Sequence, residues 1–138
     1  MPSPDAPLTG RCACGTVRFA VTGPIESVGY CHCHRCQRRT GTGWSHNAVV
    51  SSEDFEVLEG EGALRAWEPE GGAPKLFCDQ CGGAVCARGD RLVVVRVGTL
   101  DSDPGVEPTW RQWVESTPSW IQIPDDGVPR FEQRRVVS

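Results

Sequence analysis

Cys12-Ala13-Cys14, Cys31-His32-Cys33-His34-Arg35-Cys36 and Cys78-Asp79-Gln80-Cys81-Gly82-Gly83 hold seven of the chain's eight cysteines. Thiolates at these spacings converge on a metal ion rather than on each other. Tetrahedral zinc takes four ligands, with sulfur at about 2.3 Å, and a C-x-x-C turn followed by glycine presents two of them. The count is uneven. Cys12, Cys14, Cys78 and Cys81 make a complete set of four, which leaves Cys31, Cys33 and Cys36 as a set of three. A closed four-thiolate site is structural, whereas three protein ligands leave a position for water or substrate. The sequence therefore implies two zinc ions per chain, one for the fold and one for chemistry.

Eight cysteines could instead form a disulfide framework, which requires an oxidising compartment. The segment Met1-Pro2-Ser3-Pro4-Asp5-Ala6-Pro7 has neither the basic nor the apolar region of a signal peptide. No stretch approaches the roughly 18 apolar residues of a membrane span. A cytoplasmic, metal-binding protein is expected. Its 138 residues fit one domain, 9–138, preceded by a loose Pro-rich arm, 1–8. The formal net charge of −4 speaks against nucleic-acid binding, which needs a basic face.

Sixteen Gly and eleven Pro favour turns over long helices. Residues 16–21 alternate, with Val17, Phe19 and Val21 on one face, and Thr22-Gly23-Pro24 ends that strand. Phe55 and Val57 alternate with Asp54 and Glu56, and Leu64-Arg65-Ala66-Trp67 reads as a short strand. The β-branched run Arg91-Leu92-Val93-Val94-Val95-Arg96-Val97 predicts a central, largely buried strand. Trp113-Val114 and residues 120–123 are shorter strand candidates. One helical turn is expected from Arg35 to Thr40, stopped by Gly41 and Gly43. Together these predict a mainly β, antiparallel fold with zinc-bearing loops.

Three stretches resemble the glutathione-dependent formaldehyde-activating enzyme (GFA) family, or CENP-V/GFA domain. They are Gly10-Arg11-Cys12-Ala13-Cys14-Gly15-Thr16-Val17-Arg18-Phe19, then residues 31–41, then Phe77 to Gly83. The Gly98-Thr99-Leu100-Asp101 turn and Pro118-Ser119-Trp120 complete a likeness that runs from about Gly10 to Phe131. It implies a β-tent (Mss4-like) fold of several small coiled sheets. It also implies a structural zinc on Cys12, Cys14, Cys78 and Cys81, and a catalytic zinc on Cys31, Cys33 and Cys36. The family's founding activity condenses glutathione with formaldehyde to S-(hydroxymethyl)glutathione, a carbon–sulfur lyase reaction. Trp44 stands where a phenylalanine is frequent, and Arg111 where many relatives have a histidine.

The chemistry of an open three-thiolate site points the same way. Three thiolates on Zn²⁺ leave a net charge of −1, a weak Lewis acid suited to holding a substrate thiol as its thiolate. Arg35, Arg38 and Arg39 follow i, i+3, i+4 spacing beside the site and could receive the carboxylates of an anionic thiol such as glutathione. They could equally be a solvated basic turn. Trp44 divides between pocket wall and packing. His32, His34 or His46 could close the site as a Cys₃His structural centre, or remain ordinary loop residues. Trp67, Trp110, Trp113 and Trp120 read as packing residues, and Cys86 as a small buried hydrophobe. The Val-rich strand and exposed tryptophans leave room for an oligomer.

Three function classes follow. The first is a zinc carbon–sulfur lyase. The second is a non-catalytic zinc module for protein interaction. The third is a redox enzyme of the methionine-sulfoxide type, for which only Cys86 remains as a thiol without an assigned metal.

Overall fold

In the computed structural model, which describes residues 1–136, the chain forms ten strands and one short α-helix. The strands are β1 (Leu8–Arg11), β2 (Arg18–Val21), β3 (Ile25–Cys31), β4 (Ser45–Ser51) and β5 (Phe55–Glu59). After them come β6 (Leu64–Trp67), β7 (Lys75–Cys78), β8 (Ala84–Arg88), β9 (Leu92–Arg96) and β10 (Trp110–Gln112). The helix, α1 (His34–Thr40), lies between β3 and β4. The chain is mainly β, as expected, and its strands divide into two sheets. One has three strands in the order β1-β2-β5, and the other has seven in the order β10-β3-β4-β9-β8-β7-β6. All pairings are antiparallel except β10 with β3, which is parallel.

The valine run becomes β9, fourth of seven strands and so central. It is not buried on both faces. Val93 and Val95 are in the core, whereas Leu92 is exposed and Val94 and Arg96 are half-buried. A parallel strand between covering helices is apolar on both sides, but an antiparallel one can put alternate residues on a second, solvated face. Val93 and Val95 join Val28, Ala48, Val50, Leu76, Val85 and Cys86 on the inner face of the large sheet. Phe19, Val21 and Phe55 of the small sheet close over them, together with Val17 just before β2, and the Phe19 and Phe55 rings are 5.3 Å apart. Each such side chain contributes about 1.5–3 kcal/mol when removed from water.

The C-terminal third is less regular than its sequence suggests. Trp110 to Gln112 is the strand, Trp113 adopts a left-handed backbone (φ 59°), and Val114–Ser116 is a 3₁₀ turn. Residues 120–123 are not in a strand. Of the four tryptophans read as packing residues, Trp110 is buried while Trp67 and Trp120 are exposed. Trp110 lies flat against Gly29, where a Cβ would come within 2.0 Å of the indole. Only glycine permits that approach, and it lets the parallel β10 seat against β3.

Candidate metal centres and the cavity beside them

The first cysteine cluster is built by two glycine-dependent knuckles. Leaving β1, Cys12 accepts a hydrogen bond on its carbonyl from the Gly15 N–H (3.1 Å), and its sulfur accepts one from the Val17 N–H (3.3 Å). Leaving β7, the Cys78 carbonyl accepts from the Gly82 N–H (2.7 Å) and its sulfur from the Gln80 N–H (3.4 Å). Gly15 and Gly82 have φ of +81° and +73°, a left-handed turn that costs a side-chain-bearing residue about 1–2 kcal/mol. The sulfurs of Cys12, Cys14, Cys78 and Cys81 all lie within 4.8 Å of one another. Cys12 and Cys14 sulfurs are 3.7 Å apart, and Cys14 and Cys78 sulfurs 3.9 Å. Four sulfurs about 2.3 Å from a tetrahedral ion stand about 3.8 Å from each other. The donor set therefore fits a tetrahedral metal. The spacings also far exceed the roughly 2.05 Å of a disulfide, and all eight cysteines are free thiols.

The Cys81 thiol is held down to about 6 by the backbone N–H groups of Gly83 and Cys14. The Cys78 thiol is pushed up to about 11, first by burial. The two knuckles belong to different sheets. A metal held here cross-links the small sheet to the large one across 64 residues of sequence.

The second cluster is local. Cys31 ends β3, Cys33 is the N-cap of α1 with its sulfur accepting from the Cys36 N–H (3.3 Å), and Cys36 lies in the helix's first turn. The helix runs one residue further back than Arg35, and Gly41 caps it through an N–H to the Gln37 carbonyl (2.8 Å). Gln37 fixes the helix from its side chain, donating through Nε2 to the carbonyls of His32 (2.9 Å) and Ser116 (2.8 Å). The three sulfurs lie within 4.8 Å of one another. They share protons unequally. Hydrogen bonds from the Cys31 and Cys36 thiols drive the Cys33 thiol far down, and the bond to Cys33 drives Cys31 up. Three sulfurs so close cannot all be thiolates without a cation among them. That makes this set, too, a fit for a metal.

No histidine, aspartate or glutamate among the described residues joins the three sulfurs. His46 stacks on Tyr30 at 4.6 Å, His32 is fully buried 5.9 Å from Trp44, and His34 is exposed. Closure as a Cys₃His centre is not formed. Cys86 is buried in the core with its thiol pushed up to about 11 by desolvation, the opposite of what a redox-active thiolate needs.

Instead the trithiolate opens into a cavity of about 740 Å³. This cavity lies against the outer face of the large sheet, and strand register sets its floor in three rows. Cys31 pairs with Ser45 and Gln112. Asn47 pairs with Gly29 and Arg96. Val94 pairs with Val49 and with Ala87, which faces Lys75. Arg35 and Arg39 line the cavity from α1, and Trp113 lines it from the C-terminal side. Arg35 and Arg39 each place a guanidinium over the Trp67 ring, at 5.8 and 5.7 Å. Arg38 is exposed and belongs to a more open recess with Arg35, Arg39 and Trp67. Trp44 does not line the cavity; it packs edge-on to Tyr30 at 6.3 Å.

Sequence reasoning missed Ser45, Asn47, Lys75, Arg96 and Trp113 as cavity residues. For Arg96 a signal existed, since alternation along β9 that buries Val93 and Val95 must turn Arg96 outward. Arg111 is buried, with its guanidinium 4.2 Å from the Tyr30 ring and 2.8 Å from Asp126, where it holds that carboxyl below its ordinary value.

The family model described as glutathione-dependent formaldehyde-activating enzyme matches residues 7–116. A crystal structure of a Rhodobacter sphaeroides protein superposes with a TM-score of 0.59 at 22% sequence identity, covering 90% of this chain and 99% of that one. That likeness is one of fold. Curated proteins give no significant match.

Proposed function

The chain belongs to the glutathione-dependent formaldehyde-activating enzyme (GFA) family, and on that premise we propose that it is a zinc-dependent carbon–sulfur lyase of the S-(hydroxymethyl)glutathione synthase type. Its reaction joins the sulfur of a small thiol, glutathione or a similar one, to the carbon of formaldehyde or a related electrophile. The sulfur lone pair forms the C–S bond, the carbonyl π pair moves to oxygen, and that oxygen takes up the thiol's proton.

One observation carries this reading: three sulfurs with no fourth protein ligand among the described residues face a cavity large enough for a small molecule. Cys31, Cys33 and Cys36 would hold the catalytic zinc, and Cys12, Cys14, Cys78 and Cys81 the structural one. Bound zinc supplies the positive charge that keeps a substrate thiol deprotonated near neutral pH. Arg35 and Arg39 reach the same cavity and offer guanidinium groups to substrate carboxylates, while Trp113 and the Val49–Val94 floor give its apolar walls. Such positioning lowers the barrier by holding thiol and electrophile in contact. A soluble, reducing setting keeps the seven ligand thiols competent.

Cobalt substitution tests the proposal, because sulfur ligation gives Co²⁺ an intense charge-transfer absorption. Glutathione should change that absorption in the wild type and leave it unchanged in Cys33→Ala. If neither glutathione nor any other small thiol alters the spectrum, the lyase reading fails and a protein-interaction module takes its place.

A further inference from the structure

Six cationic side chains line the cavity beside the trithiolate: Arg35, Arg39, Lys75, Arg96, Arg134 and Arg135. No aspartate or glutamate lines it, and none of the six forms an ion pair among the described residues. Three thiolates on Zn²⁺ would leave a charge of about −1, too little to account for six cations. Four of the six gather at one place. Arg35 and Arg39 reach it from α1, each with its guanidinium over the Trp67 ring. Lys75, on β7, is the cross-strand partner of Trp67. Arg96 comes from β9, where one of its N–H groups donates to Asn47 Oδ1. All four are half-buried, and Arg39 Nε is buried without a hydrogen-bond partner. Burial pulls the Lys75 ammonium below its ordinary value, and the charges of Arg96, Arg35 and Arg39 pull the same way. Cations so withdrawn from water without a counter-ion mark a place for an anion.

Chemistry narrows the kind of anion. Glutathione and other amino-acid thiols carry an ammonium as well as carboxylates, and a lining without a carboxylate gives that ammonium no acceptor. Four cations around one point also exceed what a single carboxylate, with two oxygens, can engage. A phosphate monoester carries a charge of about −1.5 to −2 at neutral pH, offers three acceptor oxygens and has no ammonium. Strand register sets the distance from the sulfurs. Cys31 lies opposite Ser45, Asn47 opposite Arg96, and Ala87, in the row of Val49 and Val94, opposite Lys75. Successive rows are two residues apart along each strand, about 6.6 Å. Arg96 and Lys75 therefore stand one and two rows from Cys31.

We propose that Arg35, Arg39, Lys75 and Arg96 form a phosphate-binding site, and that the thiol substrate of this chain is a phosphate ester. Its sulfur lies at Cys31, Cys33 and Cys36 and its phosphate one to two rows away. This rests on the proposed thiol-binding function and replaces glutathione with another class of thiol. Arg134 and Arg135 come from beyond residue 116, where the match to the family model ends. Their segment is held on β10 by main-chain bonds from the Arg111 N–H to the Pro129 carbonyl (2.8 Å) and from the Trp113 N–H to the Gln133 carbonyl (2.9 Å). It adds positive charge to the same cavity.

Paired ligands isolate the phosphate. 6-Mercaptohexyl phosphate and 6-mercaptohexanol share a sulfur and a chain and differ only in the phosphate. With cobalt-substituted wild type, the phosphate ester should half-saturate the change in charge-transfer absorption at least about tenfold below the alcohol, as charge-assisted hydrogen bonds would give. It should also half-saturate below glutathione. Lys75→Met and Arg96→Met, checked as folded by their melting curves, should each narrow the preference for phosphate over alcohol by at least about threefold. Hexyl phosphate, which has no sulfur, should bind zinc-loaded wild type in calorimetry, and hexanol should not. Equal half-saturation by the two thiols, or glutathione half-saturating below the phosphate ester, would overturn the site even if a variant does not fold. So would a full preference for phosphate in both folded variants. If all thiols change the spectrum alike, the thiol-binding function survives and the phosphate site falls. If no thiol changes it, that function falls, and hexyl phosphate decides the phosphate site by itself.

Discussion

The two cysteine clusters use the same chemistry and differ in what they connect. Cys12, Cys14, Cys78 and Cys81 come from two hairpins in two sheets, with Cys14 and Cys81 exposed at the surface. Cys31, Cys33 and Cys36 come from six consecutive residues where β3 passes into α1, and they open into a cationic cavity. An ion in the first site closes a long loop and fixes one sheet on the other. An ion in the second closes almost nothing that the strand pairing and the Gln37 hydrogen bonds do not already hold. Ligand count alone marks one site closed and the other open. Connectivity adds that an ion in the closed site would govern stability and would leave the open site free for the proposed chemistry.

The largest effect should follow from removing a long-range ligand. Structural zinc contributes roughly 10–16 kcal/mol of apparent binding energy in small domains, comparable to the whole stability of a protein of this size. Cys78→Ser should lose its cooperative thermal transition in circular dichroism and most of its zinc. A melting temperature and zinc content equal to wild type would break the comparison at its first term. Cys33→Ala should lose one zinc per chain by elemental analysis yet melt within a few degrees of wild type; a collapse like that of Cys78→Ser would make both sites structural.

Acid should separate the sites more gently. Metal binding requires thiolates, so affinity falls as pH falls, and it falls earliest where the thiols hold their protons most tightly. In the three-thiolate site Cys31 is pushed above the ordinary thiol value by its bond to Cys33 and Cys36 is also raised, although Cys33 is driven far down; in the closed site Cys81 is held down to about 6. Cys78, raised to about 11, opposes this in the closed site but is one of four ligands. Zinc should therefore leave the three-thiolate site first on descending titration, read as two steps of zinc release with a zinc-sensitive dye and with folded circular dichroism after the first step. The smallest effect belongs to the knuckle itself. A Cβ at Gly82 meets no atom within 4 Å, so Gly82→Ala carries only the cost of a left-handed backbone. That is about 1 kcal/mol, or a melting temperature roughly 3–5 °C lower with both zinc ions retained.

The metal-binding framework was legible in the sequence because cysteine spacing and the following glycines are local signals. So were α1, β5, β6 and the central place of β9, which rest on short-range periodicity and capping. The cavity was not. It is assembled from alternate residues of β4, β7, β8 and β9, and which face those residues occupy depends on strand register and on the parallel pairing of β10 with β3. Neither is written in any one segment. Arg35, Arg38 and Arg39 share a helical spacing, yet Arg38 is turned away from the cavity while Lys75, 36 residues beyond Arg39, lines it. Trp113 reads as a packing residue for a related reason: its left-handed backbone ends the strand that Trp113-Val114 suggests, and the residue lines the cavity.

Native mass spectrometry of the wild-type protein during slow chelation tests the division of labour most directly. The protein should begin with two zinc ions per chain. The first should leave while the charge-state distribution stays that of a folded chain, and the second only together with a shift to the higher charge states of an unfolded one. Simultaneous loss of both ions, or a folded chain that never carries more than one, would contradict the account.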